Sequence, residues 1–341
     1  MWTRIRSFFI TTPATAPEVS LTPMASPVPG WAVPADSFDN IEERIEQTFM
    51  GMVLGVHSPQ VAPLNDFERN ALKRFAALLD TDLADSRLIP RLPSVLPRLM
   101  NYFRDPTTTS RELADLIGRD IVSVSEVIRL ANSPYYRRAS EARSLEQAVL
   151  VLGQRGLRQM VANLLVRPIF SERQGHFSAI AGVLLWEHSE KTALVAAALA
   201  REKAGDEFTA YLAGISSNLG LLIGCRVLDA LFDGNQIPSS LAFRSQWLQL
   251  ARRLTAAVAR AWEFPEGACA LLEFRGAADP SRLPCEAMQL YSAQRFSQFH
   301  SLQALGRVAT GDVAAFAAVS SGETGFALAM DTLARFDGRR D

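Results

Sequence analysis

The sequence predicts an all-α protein, and three observations carry that expectation. From Ile41 onward, apolar residues recur at the three-and-four spacing of helices. Capping-box patterns open several of these stretches, at Asn65 with Glu68, Thr109 with Glu112, and Ser144 with Gln147. Breakers punctuate the joints, at Pro134, Gly153, Gly156, Pro265 and Pro284.

The chain opens on residues 1–10, where Arg4 and Arg6 precede Phe8, Phe9 and Ile10; this apolar run is too short for an export signal. Residues 1–40 form a Pro-rich tail holding Pro13, Pro17, Pro23, Pro27, Pro29 and Pro34. Such a segment buries too little surface to offset its ordering entropy, so a disordered tether is expected. Residues 41–87 read as a helical hairpin. Ile41, Ile45, Phe49, Met52, Val53 and Val56 make one stripe; Phe67, Ala71, Phe75, Leu78 and Leu79 make the other. The simpler role for the hairpin is packing on the main body. The sharper one is a homodimer arm through residues 41–80.

Residues 88–173 read as a first lobe of short capped helices, opened by Pro90, Pro93 and Pro97. At Asn132, Ser133 and Pro134 a helix breaks, because a proline pushes its predecessor towards extended geometry. Tyr135, Tyr136, Arg137 and Arg138 follow. A helix over about 157–169 is expected after Gly153 and Gly156. The lobe holds 13 arginines against 8 acidic residues between positions 91 and 173. A solvated surface explains that; docking of an acidic partner protein is the sharper reading, with Asn132, Tyr135, Tyr136, Arg137 and Arg138 as candidate contacts.

A second lobe spans 174–300. Residues 178–203 read as one long buried helix with His188 in its middle. Residues 208–225 are uncharged and long enough for a membrane span, but Ser216, Ser217 and Asn218 sit at the centre, so a buried core helix is expected. Helices over about 265–274 and 284–300 follow, and residues 301–341 should add two or three more, broken at Gly311 and at Ser321 and Gly322.

Composition narrows the functions. Of 341 residues, 48 % are apolar and 21 % charged, with net charge −1, which suits a globular protein and gives no global pull towards nucleic acid or acidic membrane. Three scattered cysteines, Cys225, Cys269 and Cys285, make neither a metal pattern nor a disulfide framework, so a reducing cytoplasm is the expected setting.

The chemistry turns on His188, within Trp186-Glu187-His188-Ser189, and on Ser217 and Asn218, within Ala213-Gly214-Ile215-Ser216-Ser217-Asn218-Leu219-Gly220. A metal centre needs three or four converging donors, and a hydroxyl and an amide are poor ligands. A lone core histidine with a hydrogen-bond partner is the simpler reading of His188.

Further pieces occur in order along residues 91–275: Leu92-Pro93-Ser94; Glu112-Leu113-Ala114; Ile128-Arg129-Leu130-Ala131-Asn132-Ser133; Ser144-Leu145-Glu146-Gln147-Ala148-Val149; and Ala261-Trp262-Glu263-Phe264-Pro265. Taken with the stretches around His188 and around Ser217 and Asn218, the chain resembles the HD-related output domain, HDOD. The resemblance implies a two-lobed, HD-like helical fold and a signalling or regulatory output module that works beside response regulators, sensor kinases and cyclic-dinucleotide enzymes. HD phosphohydrolases place a His-Asp pair where this chain has Ser217 and Asn218, so these and His188 would be vestigial positions holding no metal or cofactor. Leu272-Glu273-Phe274-Arg275 stands where the family often has a further histidine pair.

The expected function is therefore a catalytically inactive module acting through protein–protein contact. One alternative is a metal-dependent phosphohydrolase or cyclic-dinucleotide phosphodiesterase, which would need Glu187, His188, Asp229 and Glu273 to converge. Another is a nucleotide sensor using the vestigial cleft at Ser217 and Asn218, whose hydroxyl and amide groups hydrogen-bond well.

Overall fold

The computed structural model describes residues 40–56, 59–81, 109–117, 124, 127–129, 131–132, 141–171, 175–275, 283–320 and 325–338. Among these every regular element is a helix; the single β-type contact is a parallel bridge between Gln60 and Ser240. The Pro-rich tail, the start of the first lobe and the segment with Tyr135, Tyr136, Arg137 and Arg138 lie outside the described residues.

The chain forms two compact units, the first including Leu92–Pro168 and the second Pro27–Arg91 with Ile169–Asp341. The first contains α3 (Ser110–Ile117) and most of α4 (Leu145–Ser171). The capping box at Thr109 forms as expected: Thr109 N donates to Glu112 Oε2 at 2.8 Å, and Glu112 N donates to Thr109 Oγ1 at 3.3 Å. The two helices expected around Gly153 form one element kinked there, where φ is 62°. That left-handed geometry suits glycine. Gly156 stays inside the helix.

The second unit combines α1 (Ile41–Leu54) and α2 (Asp66–Leu79) with α5 (His176–Glu202), α6 (Glu207–Ser216), α7 (Leu219–Leu231), α8 (Leu241–Ala261), α9 (Glu266–Arg275), α10 (Cys285–Ala304), α11 (Thr310–Ser320) and α12 (Phe326–Asp337). Helix α5 is its axis, touching α1, α6, α7, α10 and α12. Small residues allow this. A Cβ on Gly214 would sit 2.5 Å from Ala193 Cα, and one on Gly220 would overlap the Ala251 carbonyl, so these glycines set how closely α6 meets α5 and α7 meets α8.

Residues 210–225 are buried, and the stretch from 208 forms two helices rather than one. Ser217 caps α6, and Asn218, at φ −104° and ψ 7°, starts α7. Within Glu207–Leu231, the stretch apolar enough to cross a membrane, 89 % of the most apolar window lies inside the protein. At the C-terminal end the break falls at Gly306, with φ 63°, whereas Gly311 lies in the first turn of α11. A glycine is tolerated there because the first turn of a helix makes few intrahelical bonds through its N–H groups.

The hairpin belongs to this unit. Ile41, Ile45, Phe49, Val53, Phe67, Ala71, Phe75 and Leu78 are all buried. Two buried charges bind it to α8. The Glu68 carboxylate accepts from Asn65 N at 2.9 Å, Ser240 N at 2.8 Å and Ser240 Oγ at 2.9 Å. Arg244 donates to the Gln47 carbonyl at 2.9 Å and the Val56 carbonyl at 2.6 Å. Burial pulls the Arg244 guanidinium down to about 10, against the opposing pull of Glu68.

Candidate functional site

His188 stands halfway along α5 and is 1 % exposed. Both ring nitrogens are engaged. Nε2 lies 3.3 Å from the Gln294 carbonyl on α10, and Nδ1 lies 2.9 Å from Asn218 Nδ2. A carbonyl only accepts, so Nε2 carries the proton; Nδ1 then accepts from the Asn218 amide, and the ring is neutral. Asn218 Nδ2 also donates to Ser189 Oγ at 2.9 Å. Phe49 of α1 packs on the ring, with centroids 4.5 Å apart.

The structure thus brings His188 and Asn218 together and turns Ser217 away. The Ser217 hydroxyl donates to the Gly214 carbonyl of its own helix at 2.8 Å. His188, Ser217 and Asn218 are at most 8 % exposed. Phe49 and α10 fill the space, and Glu42 and Glu46 of α1 pair with Arg295 of α10 and Arg252 of α8 on either side.

The other carboxylates of a hypothetical ligand set have separate partners. Glu187 Oε1 pairs with Lys191 at 2.9 Å. Asp229 caps α5 by accepting from Phe177 N at 2.7 Å and Ser178 N at 3.1 Å. Glu273 pairs with Arg260 at the surface. No three His, Cys, Asp or Glu side chains among the described residues are grouped to hold an ion.

In the first unit, Asn132 is committed internally. Its Nδ2 donates to the Ala142 carbonyl at 2.8 Å, and its Oδ1 accepts from Ala142 N at 2.7 Å. That two-way clamp ties together the ends of the segment holding the candidate docking residues, whose own side chains fall outside the described residues.

Two features of the site have little or no sequence signature. The Gln294 contact is made by a backbone carbonyl, which any residue supplies. Phe49 is legible only as one member of an apolar stripe. A second cluster was equally hidden: one turn beyond His188, Lys191 meets Ser301 and Asp337, and His300 meets Asp337.

Residues 89–277, more than half the chain, match the HDOD domain model. The protein belongs to the HDOD family. Its fold is similar to three solved structures. An HDOD domain protein of Geobacter sulfurreducens is 19 % identical, with TM-score 0.55 over 79 % of this chain and 97 % of that one. A Shewanella amazonensis SB2B protein, provisionally described as a metal-dependent phosphohydrolase, is 20 % identical, with TM-score 0.54 over 80 % and 100 %. A Marinobacter aquaeolei VT8 protein, provisionally described as a signal transduction protein, is 19 % identical, with TM-score 0.55 over 82 % and 66 %. An uncharacterized protein of Treponema pallidum is 24 % identical over 172 residues; the match covers 49 % of this chain and 31 % of that relative's length.

Proposed function

We propose that this HDOD protein is a non-catalytic signalling module that acts by contacting other proteins. One observation carries the reading: His188 has both ring nitrogens tied to protein atoms and a phenylalanine against its face. A metal-ligating imidazole needs a free lone pair directed at the ion. Here the Nδ1 lone pair points at an amide N–H and Nε2 points at a carbonyl. Hydrolysis across two metals also requires bridging carboxylates and several imidazoles, and the two positions in question hold Ser217 and Asn218.

Metal analysis of the purified full chain, after incubation with iron, manganese and zinc in turn, tests this directly. The expected result is far less than one ion per chain for each metal. Near-stoichiometric metal that disappears in His188→Ala would overturn the reading and return the chain to the phosphohydrolases.

The partners would be signalling proteins: a response regulator, a sensor kinase or a cyclic-dinucleotide enzyme. Self-association through the outward faces of residues 41–80 is the remaining role for the hairpin once its apolar stripes are buried. Light scattering of the full chain separates that from docking of a different protein, because a monomer at high concentration excludes the dimer.

A further inference from the structure

Helix α12 closes over a charged cluster that the function above does not use. Lys191 of α5 is 1 % exposed, an unusual place for an ammonium unless it is paired. Its partners come from two helices besides its own. Glu187 lies at 2.9 Å on α5, Ser301 Oγ at 3.2 Å on α10, and Asp337 at 3.9 Å in the last turn of α12. Phe336 places its ring 5.6 Å from the ammonium. Asp337 reaches a second group as well: its other carboxylate oxygen lies 3.3 Å from His300 Nε2 on α10. Ala329, Leu333 and Phe336 of α12 are buried as well, and Phe326 packs on Phe296 of α10 with ring centroids 5.3 Å apart.

His300 is the unstable member of this arrangement. Nε2 faces an acceptor and carries a proton. Nδ1 is buried and has no hydrogen-bond partner. A second proton would go on Nδ1, forming an N–H with no acceptor in a pocket that already holds the Lys191 ammonium. A buried donor left without an acceptor is costly, and more so when it is charged. The charged groups acting on the ring are Lys191 and Glu187 from α5 and Asp337 from α12. The pairs Arg295 with Glu42 and Arg44 with Asp312, which join α10 and α11 to α1, are not among them.

We propose that α12 is a pH-sensitive latch, released from α5 and α10 when His300 takes a proton from solvent. Release uncovers Lys191 and the apolar groove that now holds Leu333 and Phe336. The direction follows from linkage. Burial first, then Lys191, holds the docked imidazole below the ordinary value of 6.5, with Asp337 and Glu187 opposing. Undocking restores the ordinary value. Docking is therefore at full strength above that value and weakens as pH falls through it towards the docked value.

Amide hydrogen exchange on the full chain tests the latch. Rates at about pH 7.5 and about pH 5.5, corrected for intrinsic chemistry, are compared for α12 and for α8 as internal reference. Protection of residues 326–337 is expected to fall roughly threefold or more at the lower pH while α8 holds. His300→Gln keeps an amide donor for Asp337 but cannot titrate, and should abolish the fall; His300→Asn serves if the longer amide does not fold. Unchanged protection of α12, an equal loss in α8, or a pH response that survives in either variant would each overturn the proposal.

Discussion

His188 and Lys191 stand one turn apart on the same buried helix, yet their surroundings are opposites. His188 sits in a neutral network of an amide, a hydroxyl and a carbonyl, under an aromatic ring. Lys191 sits among two carboxylates, a hydroxyl and a neighbouring histidine. Every polar contact given for the neutral network is made within the protein. The charged cluster lies where the fold is closed by its own C-terminal helix. The two turns share α10 as a neighbour and differ in the rest: α1 and the start of α7 meet His188, whereas α12 meets Lys191.

Phe49→Ala is expected to have the largest effect. The side chain is 1 % exposed and covers the His188 ring. Truncating a buried phenylalanine costs about 3–5 kcal/mol, through lost transfer energy and the cavity that remains. Urea unfolding monitored by circular dichroism should show that loss with little change in slope. A loss under about 1 kcal/mol would mean that α1 rests on the site rather than sealing it.

That dependence on Phe49 explains what could and could not be seen in the sequence. The helices were legible from periodicity, and the caps at Asn65 and Thr109 from residue type, because both signals are local. That positions 217 and 218 hold a hydroxyl and an amide, both poor metal ligands, was legible for the same reason. What fills the space was not. Phe49 lies far from His188 in the chain, and the Gln294 contact uses a backbone atom with no residue preference. Arg244 and Glu68 were likewise unforeseen as a pair, since Arg244 holds carbonyls across the fold and Glu68 reads as an ordinary capping residue. The break before α11 was placed at Gly311 rather than Gly306, because two glycines near a helix start look alike until a positive φ singles one out.

Lys191→Met is expected to have an effect of intermediate size. The substitution conserves volume but leaves Glu187, 23 % exposed, and Asp337, 45 % exposed, without their cation. A fully buried pair broken this way costs about 3–5 kcal/mol, and water reaching both carboxylates reduces that to about 1–2 kcal/mol. The loss should be concentrated in α12, read as faster amide exchange over residues 326–337 with α8 unaffected. A uniform loss across the second unit would mean that Lys191 supports the core of α5 rather than the closure of α12.

The smallest effect is expected at Arg260, and it serves as the control for charge alone. Arg260 pairs with Glu266 at 3.0 Å and also with Glu273, so it has two carboxylate partners just as Lys191 does. These hydrogen bonds raise its guanidinium and hold both carboxylates below their usual range. All three side chains, however, are 43 % or more exposed. Solvent screens such pairs, and side-chain freedom regained on breaking them offsets much of the attraction. Arg260→Ala should therefore leave the unfolding midpoint of the second unit within experimental scatter, at low and at high salt. If it destabilises as much as Lys191→Met, ion-pair number rather than burial governs this surface. The contrast between the two turns of α5 would then rest on counting charges, not on where they are placed.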